Sequence, residues 1–130
     1  MAFDKLESVS GLQRAIWRPV SVSLFARGNV PPRFRITLSK LFVAKFAISE
    51  ADSFDLLLGT GDQKGVIRLK RSKSGVLQPR LLKLGAATFN CGHIERFGTE
   101  PEKKQFCRSL IVDADTIEIR LPPWGMEQDV

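Results

Sequence analysis

The residues with the greatest chemical potential are Cys91, His93 and Cys107, the chain's only cysteines and its only histidine, with Glu95 two positions after the histidine. His93-Ile94-Glu95 has the spacing that sets a zinc ligand beside a proton shuttle. That chemistry requires a Pro-Cys-x-x-Cys pair downstream, and Cys107 alone follows. As a structural zinc set, the three lack an evident fourth ligand and the usual close pairing. A Cys–His nucleophile pair on a segment of unassigned structure fixes no geometry. The loop Gly59-Thr60-Gly61-Asp62-Gln63-Lys64-Gly65 lacks Gly-Lys-Ser/Thr and runs into a strand pattern, whereas a phosphate cradle opens a helix. Asp113 and Asp115 flank Ala114 as turn formers rather than a catalytic dyad. The expectation is therefore no catalytic residue, no metal and no cofactor, and a protein that is not an enzyme.

Charge points elsewhere. The chain carries a net charge of +6, and unevenly: residues 1–80 hold 14 Lys/Arg against 6 Asp/Glu, residues 81–130 hold 6 against 8. A basic half with an acidic tail suggests one side that faces a polyanion and one that does not. Arg27, Arg33, Arg35, Lys40, Arg68, Lys70, Arg71 and Lys73 are the candidate nucleic-acid contacts. The plainer reading is that these residues solvate strand edges and guard them against pairing.

The elements that must position them read mostly as strands. Val20, Val22 and Leu24 alternate with Ser21 and Ser23; Phe34, Ile36 and Leu38 alternate with Arg35 and Thr37. Both have the period of two of a strand with one buried face. Arg27-Gly28-Asn29 and Pro31-Pro32 make the first pair a hairpin over residues 20–38. Ser39 is placed to cap a short helix over about Lys40–Phe46. Phe54–Leu58 and Val66–Arg71 are strands joined by the Gly-rich loop. Leu81–Leu84 reads as another. Residues 85–107 resist assignment, with one helical turn expected within Cys91–Phe97 and a charged loop over Thr99–Lys104. Arg108–Val112 and Thr116–Leu121 form a hairpin around Asp113-Ala114-Asp115, and Trp124 folds back as a cap after Pro122-Pro123. The fold class is mainly β (β-rich α+β): a small barrel or sandwich of about seven strands with one or two short helices.

The order strand, short helix, strand, strand over residues 32–71 resembles the swapped-hairpin DNA-binding family of the AbrB and MazE type. The matching pieces are Arg35-Ile36-Thr37-Leu38-Ser39-Lys40, the helix, a turn ending in Asp52, Leu56-Leu57-Leu58 and Ile67-Arg68-Leu69. Leu38-Ser39 stands where that family has Ile-Pro, and Ala51 where it has Gly; the last loop is also longer. The resemblance implies a DNA-binding transcriptional regulator. A faint repeat pairs Pro32–Leu38 with Pro79–Gly85, and Ile67-Arg68-Leu69 with Ile119-Arg120-Leu121. Half-units over 20–71 and 79–121 would then pair in one chain as a pseudo-dimer, a tandem pseudo-repeat, where the family uses two chains. The expected assembly is a monomer with internal pseudo-symmetry or a homodimer.

Residues 1–18 read as a flexible or marginally helical arm, 19–124 as one β-rich domain and 125–130 as a frayed end. No apolar run approaches the length of a membrane span. The N-terminus carries Asp4 and Glu7 and lacks the apolar core of a secretory signal. A cytoplasmic location follows as the expectation, with Cys91 and Cys107 as free thiols, a disulfide being the lesser alternative. Two functions remain: a DNA-binding protein gripping phosphates through Lys/Arg, or an adaptor or inhibitor, for example phage- or plasmid-encoded, that sets the same basic surface against an acidic protein.

Overall fold

A computed structural model describes residues 20–26, 30–98 and 100–126; the expected N-terminal arm and the frayed end lie outside the described residues except for 125–126. The protein is mainly β, an antiparallel eight-stranded sheet curled into a half-barrel. Its strands are β1 (Val20–Phe25), β2 (Arg33–Leu38), β3 (Phe54–Leu58), β4 (Val66–Arg71), β5 (Arg80–Leu81), β6 (Ala87–Asn90), β7 (Glu102–Asp113) and β8 (Thr116–Arg120). Helix α1 spans Lys40–Phe46, 3-10 turns cover Gly61–Gln63 and Glu95–Phe97, and a helical turn follows at Pro123–Met126.

The order around the sheet is β3-β4-β8-β7-β1-β2-β6-β5. β7 is the joint between its two halves. Residues Glu102 to Cys107 pair with β1, and Arg108 to Asp113 pair with β8. The free edges, β3 and β5, meet through the chain leading into β5. Leu77 exchanges two hydrogen bonds with Phe54, N–H to O at 2.8 and 2.9 Å, and this one isolated bridge links the two edges of the half-barrel, so that the strand order closes into a ring. Gly75 allows this approach, because a Cβ there would sit 2.6 Å from the Phe54 backbone.

The ring has a two-fold topology. Advancing every strand by four positions in the chain turns each pairing into another that is present: β1–β2 into β5–β6, β3–β4 into β7–β8, and β1–β7 into the Leu77–Phe54 closure. β2–β6 and β4–β8 map onto themselves. Around the ring, pairs of strands from β1–β4 alternate with pairs from β5–β8, and the correspondence differs from the expected one. The counterpart of β2 is β6, whereas Pro79–Gly85 falls on β5 and the turn after it. Ile67 and Ile119 of the second proposed match lie directly opposite one another.

Burial explains the strands. Val20, Val22 and Leu24 of β1, and Phe34, Ile36 and Leu38 of β2, point inward and are at most 2% exposed. They meet Ile67, Leu69, Ile117 and Ile119 from the far wall. Phe34, Phe97 and Trp124 form edge-to-face contacts with centroids 4.8 to 6.2 Å apart, so Trp124 does fold back onto the core. Phe54 and Phe89 meet at 5.1 Å where the ring closes.

α1 has the expected bounds. Ser39 Oγ accepts the Phe42 N–H at 3.3 Å, and the helix ends on Ala47 in the left-handed region at φ 51°. Its buried residues, Phe42, Val43 and Phe46, face the ring.

Two local expectations fail, and one unassigned segment proves to be a strand. Leu81–Leu84 is not a strand: pairing stops at Leu81, and Leu82–Gly85 is a turn closed by a 2.9 Å hydrogen bond from Gly85 N–H to Leu82 O. Lys103 and Lys104 are in β7 rather than a loop. Ala87–Asn90 is a strand that the sequence does not announce, which makes eight strands instead of about seven.

Candidate nucleic-acid interface

Directly opposed residues of an antiparallel pair project to the same side of the sheet. On β2 this sends Arg33, Arg35 and Thr37 outward, opposite Phe25, Ser23 and Ser21 of β1; Ser21 is nonetheless only 3% exposed, so the outer face is covered at that point. β6 adds Asn90 beside Arg35 and Thr88 beside Thr37, and Arg80 of β5 pairs with Thr88. On the other flank Phe106 of β7 stands opposite Ser21, with Lys104 Nζ 5.6 Å from its ring centroid. None of these outward residues is acidic. The Arg35 guanidinium lies 4.1 Å over the Phe25 ring, a cation–π contact that holds both flat against the sheet. Beside them, Phe25, Val30, Pro31 and Arg33 line a hollow of about 130 Å³.

The opposite wall is differently decorated. Arg68 gives two hydrogen bonds to Glu118 Oε1, at 3.1 and 3.0 Å. Lys70 stands between Asp55 and Thr116. Its charge also helps hold the Asp113 carboxyl below its ordinary range, although the main cause is the hydrogen bond Asp113 accepts from Asp115 N–H at 2.9 Å. Arg108 and Arg120 face each other, and exposed Leu57 and Leu110 flank the Arg68–Glu118 pair.

Arg71 is committed to the fold. Its Nη2 donates to Phe46 O at 2.6 Å at the C-terminus of α1, and its guanidinium reaches Asp52 at 3.5 Å and Asp115 at 3.4 Å. A cation at a helix C-terminus also complements the helix dipole. Lys73 is exposed in the turn after β4, on the rim of a hollow of about 430 Å³ that also includes Asp52 and Asp115. Lys40 opens α1, and its aliphatic stem is within 2.8 Å of where a Cβ on Gly85 would be. Arg27 lies outside the described residues.

The eight candidates are thus not one surface. β2 and β4 are four strand positions apart whichever way the ring is followed. At roughly 4.8 Å per strand that is about 19 Å along a curved wall. Arg33 and Arg35 stand opposite Phe25, Ser23 and Asn90 rather than acids; Arg68 and Lys70 face Glu118 and Asp55, Arg71 reaches Asp52 and Asp115, and Lys73 shares a hollow with both. Sequence reasoning passed over Phe25, Lys104, Phe106, Arg80 and Asn90. Phe25 had a usable signal: it sits at the outward parity of β1, where an aromatic ring is out of place. Phe106 had none once residues 99–104 were read as a loop.

The soft ligands do not assemble. His93 Nδ1 is 3.0 Å from Pro32 O, Cys91 packs beside the core, and Cys107 points into it from β7. Among the described residues no three His, Cys, Asp or Glu side chains are grouped to hold a metal ion. Both thiols are free, and burial pushes Cys91 up to about 12 and Cys107 up to about 11, so neither is a nucleophile near neutrality. No described helix is long and apolar enough to cross a membrane. Comparison with protein-family models, curated proteins and solved structures finds no match for this chain.

Proposed function

We propose that this chain is a non-enzymatic nucleic-acid-binding protein that holds its ligand against the outer face of β5, β6, β2, β1 and the first half of β7. The observation that carries the reading is the composition of the outward strand positions of that face: Arg33, Arg35, Arg80 and Lys104 with Ser23, Thr37, Thr88 and Asn90 between them and two aromatic rings, with Glu50, which accepts the Leu81 N–H at 3.0 Å, at the β5 edge. The cations neutralise phosphates, and the short polar side chains offer hydrogen bonds to sugar or base edges. The swapped-hairpin resemblance gives the narrower version of this reading, a cytoplasmic DNA-binding regulator.

Titration of labelled duplex and single-stranded oligonucleotides at low and physiological salt tests the reading. Binding that weakens steeply with salt is expected. A folded protein that binds no nucleic acid at low salt would retire it.

One observation favours the adaptor reading. Leu110, Ile111 and Val112, in the half of β7 away from β1, are 59%, 41% and 40% exposed. Leu110 lies opposite Glu118 and Ile111 opposite Ile117, so the exposed apolar side chains fall on both sides of this half of β7; exposed apolar surface suits a protein partner, and in that case the oligonucleotide titration is blank.

A further inference from the structure

The turn between β5 and β6 is built unlike the turns of the two hairpins that follow and precede it. The β3–β4 loop presents Thr60, Asp62 and Gln63, and the β7–β8 turn presents Asp113, Ala114 and Asp115, ordinary solvated turn residues. The β5–β6 turn presents Leu82, Lys83 and Leu84. Leu84 is 85% exposed and Leu82 41%, so neither gives its full apolar area to the core. The turn itself is fixed. Gly85 N–H donates to Leu82 O at 2.9 Å, and Leu82 N–H donates to Ala86 O at 2.8 Å. Gly85 takes φ 97°, where a Cβ is disfavoured. A closed hairpin end therefore holds Leu84 out in water.

The charge around this tip is of one sign. No Asp or Glu occurs between Asp62 and Glu95, a stretch that includes both strands of the hairpin. Lys83 is exposed between the two leucines, and Arg80 is exposed two residues before the turn. Lys40, exposed at the start of α1, runs its aliphatic stem along the turn, 2.8 Å from where a Cβ on Gly85 would sit. The carboxylate that touches the hairpin is Glu50, held at its root by the Leu81 N–H at 3.0 Å. Cations thus flank two projecting leucines. A protein groove is a poor match, because Lys is depleted from protein interfaces. A nucleic-acid backbone gains nothing from leucine. A membrane surface with anionic headgroups uses both parts. Leucines enter the acyl boundary, and long Lys and Arg stems keep the charged ends among the headgroups.

We infer that the β5–β6 turn is a docking tip for the surface of an anionic lipid bilayer. Leu82 and Leu84 insert, and Lys83, Lys40 and Arg80 meet the lipid phosphates and carboxylates. The chain lies on the membrane by this tip and does not cross it. Because the turn is already closed, little ordering cost opposes insertion. Two leucines and three cations make a reversible attachment that salt weakens. The inference goes beyond the nucleic-acid reading and does not rest on it.

Co-sedimentation with phosphatidylcholine vesicles, with and without about 30% phosphatidylserine, tests the inference. Wild type should bind the anionic vesicles about a hundredfold more tightly than the neutral ones, since each of three cations near such a surface contributes about fivefold. Leu82→Ser with Leu84→Ser should weaken that binding by at least about tenfold and leave oligonucleotide binding unchanged. Lys83→Gln should weaken it by about fivefold. Leu84→Trp should keep the binding and, relative to wild type, shift indole emission to the blue when anionic vesicles are added. Adhesion by charge alone would give no such shift. Far-UV circular dichroism confirms that each variant is folded. A folded wild type that does not sediment with the anionic vesicles would overturn the inference. So would a double leucine variant that binds them like wild type. Either result leaves the nucleic-acid reading intact, which fails only on a blank oligonucleotide titration.

Discussion

The β2 wall and the β4 wall of this ring are the two sides that its two-fold topology maps onto themselves, β2 with β6 and β4 with β8, and β2 and β4 each project two cations outward. They differ in what stands across from those cations. Arg35 faces Ser23 on one side and Asn90 on the other; Arg68 faces Leu57 and Glu118. The same residue type is thus left with open coordination on one wall and neutralised on the other. A count of Lys and Arg cannot see this, since the cross-strand partner decides whether a cation is available to a ligand.

The sharpest way to break this comparison is charge reversal on the β2 wall. Arg33→Glu with Arg35→Glu should lower affinity for any nucleic acid by more than about a hundredfold at low salt, because two phosphate contacts become two repulsions. The protein should stay folded, since both side chains project from the sheet, and anisotropy with a parallel circular dichroism spectrum reads both effects. Affinity within a few-fold of wild type would remove the β2 wall from the account.

Next in size is Arg71, which was counted among the ligand contacts and which the structure assigns to the fold. Arg71→Ala should cost about 2 kcal/mol of stability, because it leaves the Phe46 carbonyl without its donor and Asp52 and Asp115 without their cation. Chemical denaturation measures the loss. Oligonucleotide affinity of the folded fraction should be unchanged, and a variant of normal stability with weakened binding would reverse the assignment.

Cys91 and Cys107 belong to the interior rather than to either wall, and pH should reveal it. Burial raises both thiols from an ordinary value of 9.0. The protonated thiols therefore contribute fully below about pH 9, and the contribution is lost as pH rises through about 11 and about 12. Iodoacetamide should modify neither residue in native protein at pH 8 and both after denaturation. Rapid native labelling would show that one is accessible.

The smallest effect concerns α1, which packs its Phe42, Val43 and Phe46 against the ring. Ala47 occupies the left-handed region at φ 51°, a conformation that disfavours a Cβ. Ala47→Gly should raise stability by about 0.5–1 kcal/mol, seen as a higher denaturant midpoint with an unchanged slope. A lower midpoint would mean that the Ala47 methyl contributes more than its strain costs.

Legibility in the sequence followed burial. β1, β2 and β8 alternate because one face meets the core and the other meets solvent, and Ser39 announces the start of α1. β7 was illegible across its first half because it changes partners between Cys107 and Arg108. It also leaves residues such as Phe106 and Leu110 exposed, so no period of two survives. Leu82 and Leu84 misled in the other direction: their apolar character suggested a strand, yet they occupy an exposed turn, Leu84 at 85% exposure. Arg33 and Arg35 could be placed on one face by parity alone. That Arg68 and Lys70 lie on another wall could not be foreseen, because strand order depends on β2–β6 and β4–β8 pairings some 50 residues apart in the chain.

In the proposed mode of binding, ligand phosphates meet the β2 wall and not the β4 wall. The salt dependence of single-stranded oligonucleotide binding tests it directly, compared between wild type, Arg33→Gln/Arg35→Gln and Arg68→Gln/Lys70→Gln. Each lost phosphate contact lowers the log–log slope by about 0.7 for a single strand. The β2 pair should therefore lower it by about 1.4, and the β4 pair should leave it unchanged. A slope that falls with the β4 pair and holds with the β2 pair would contradict the account.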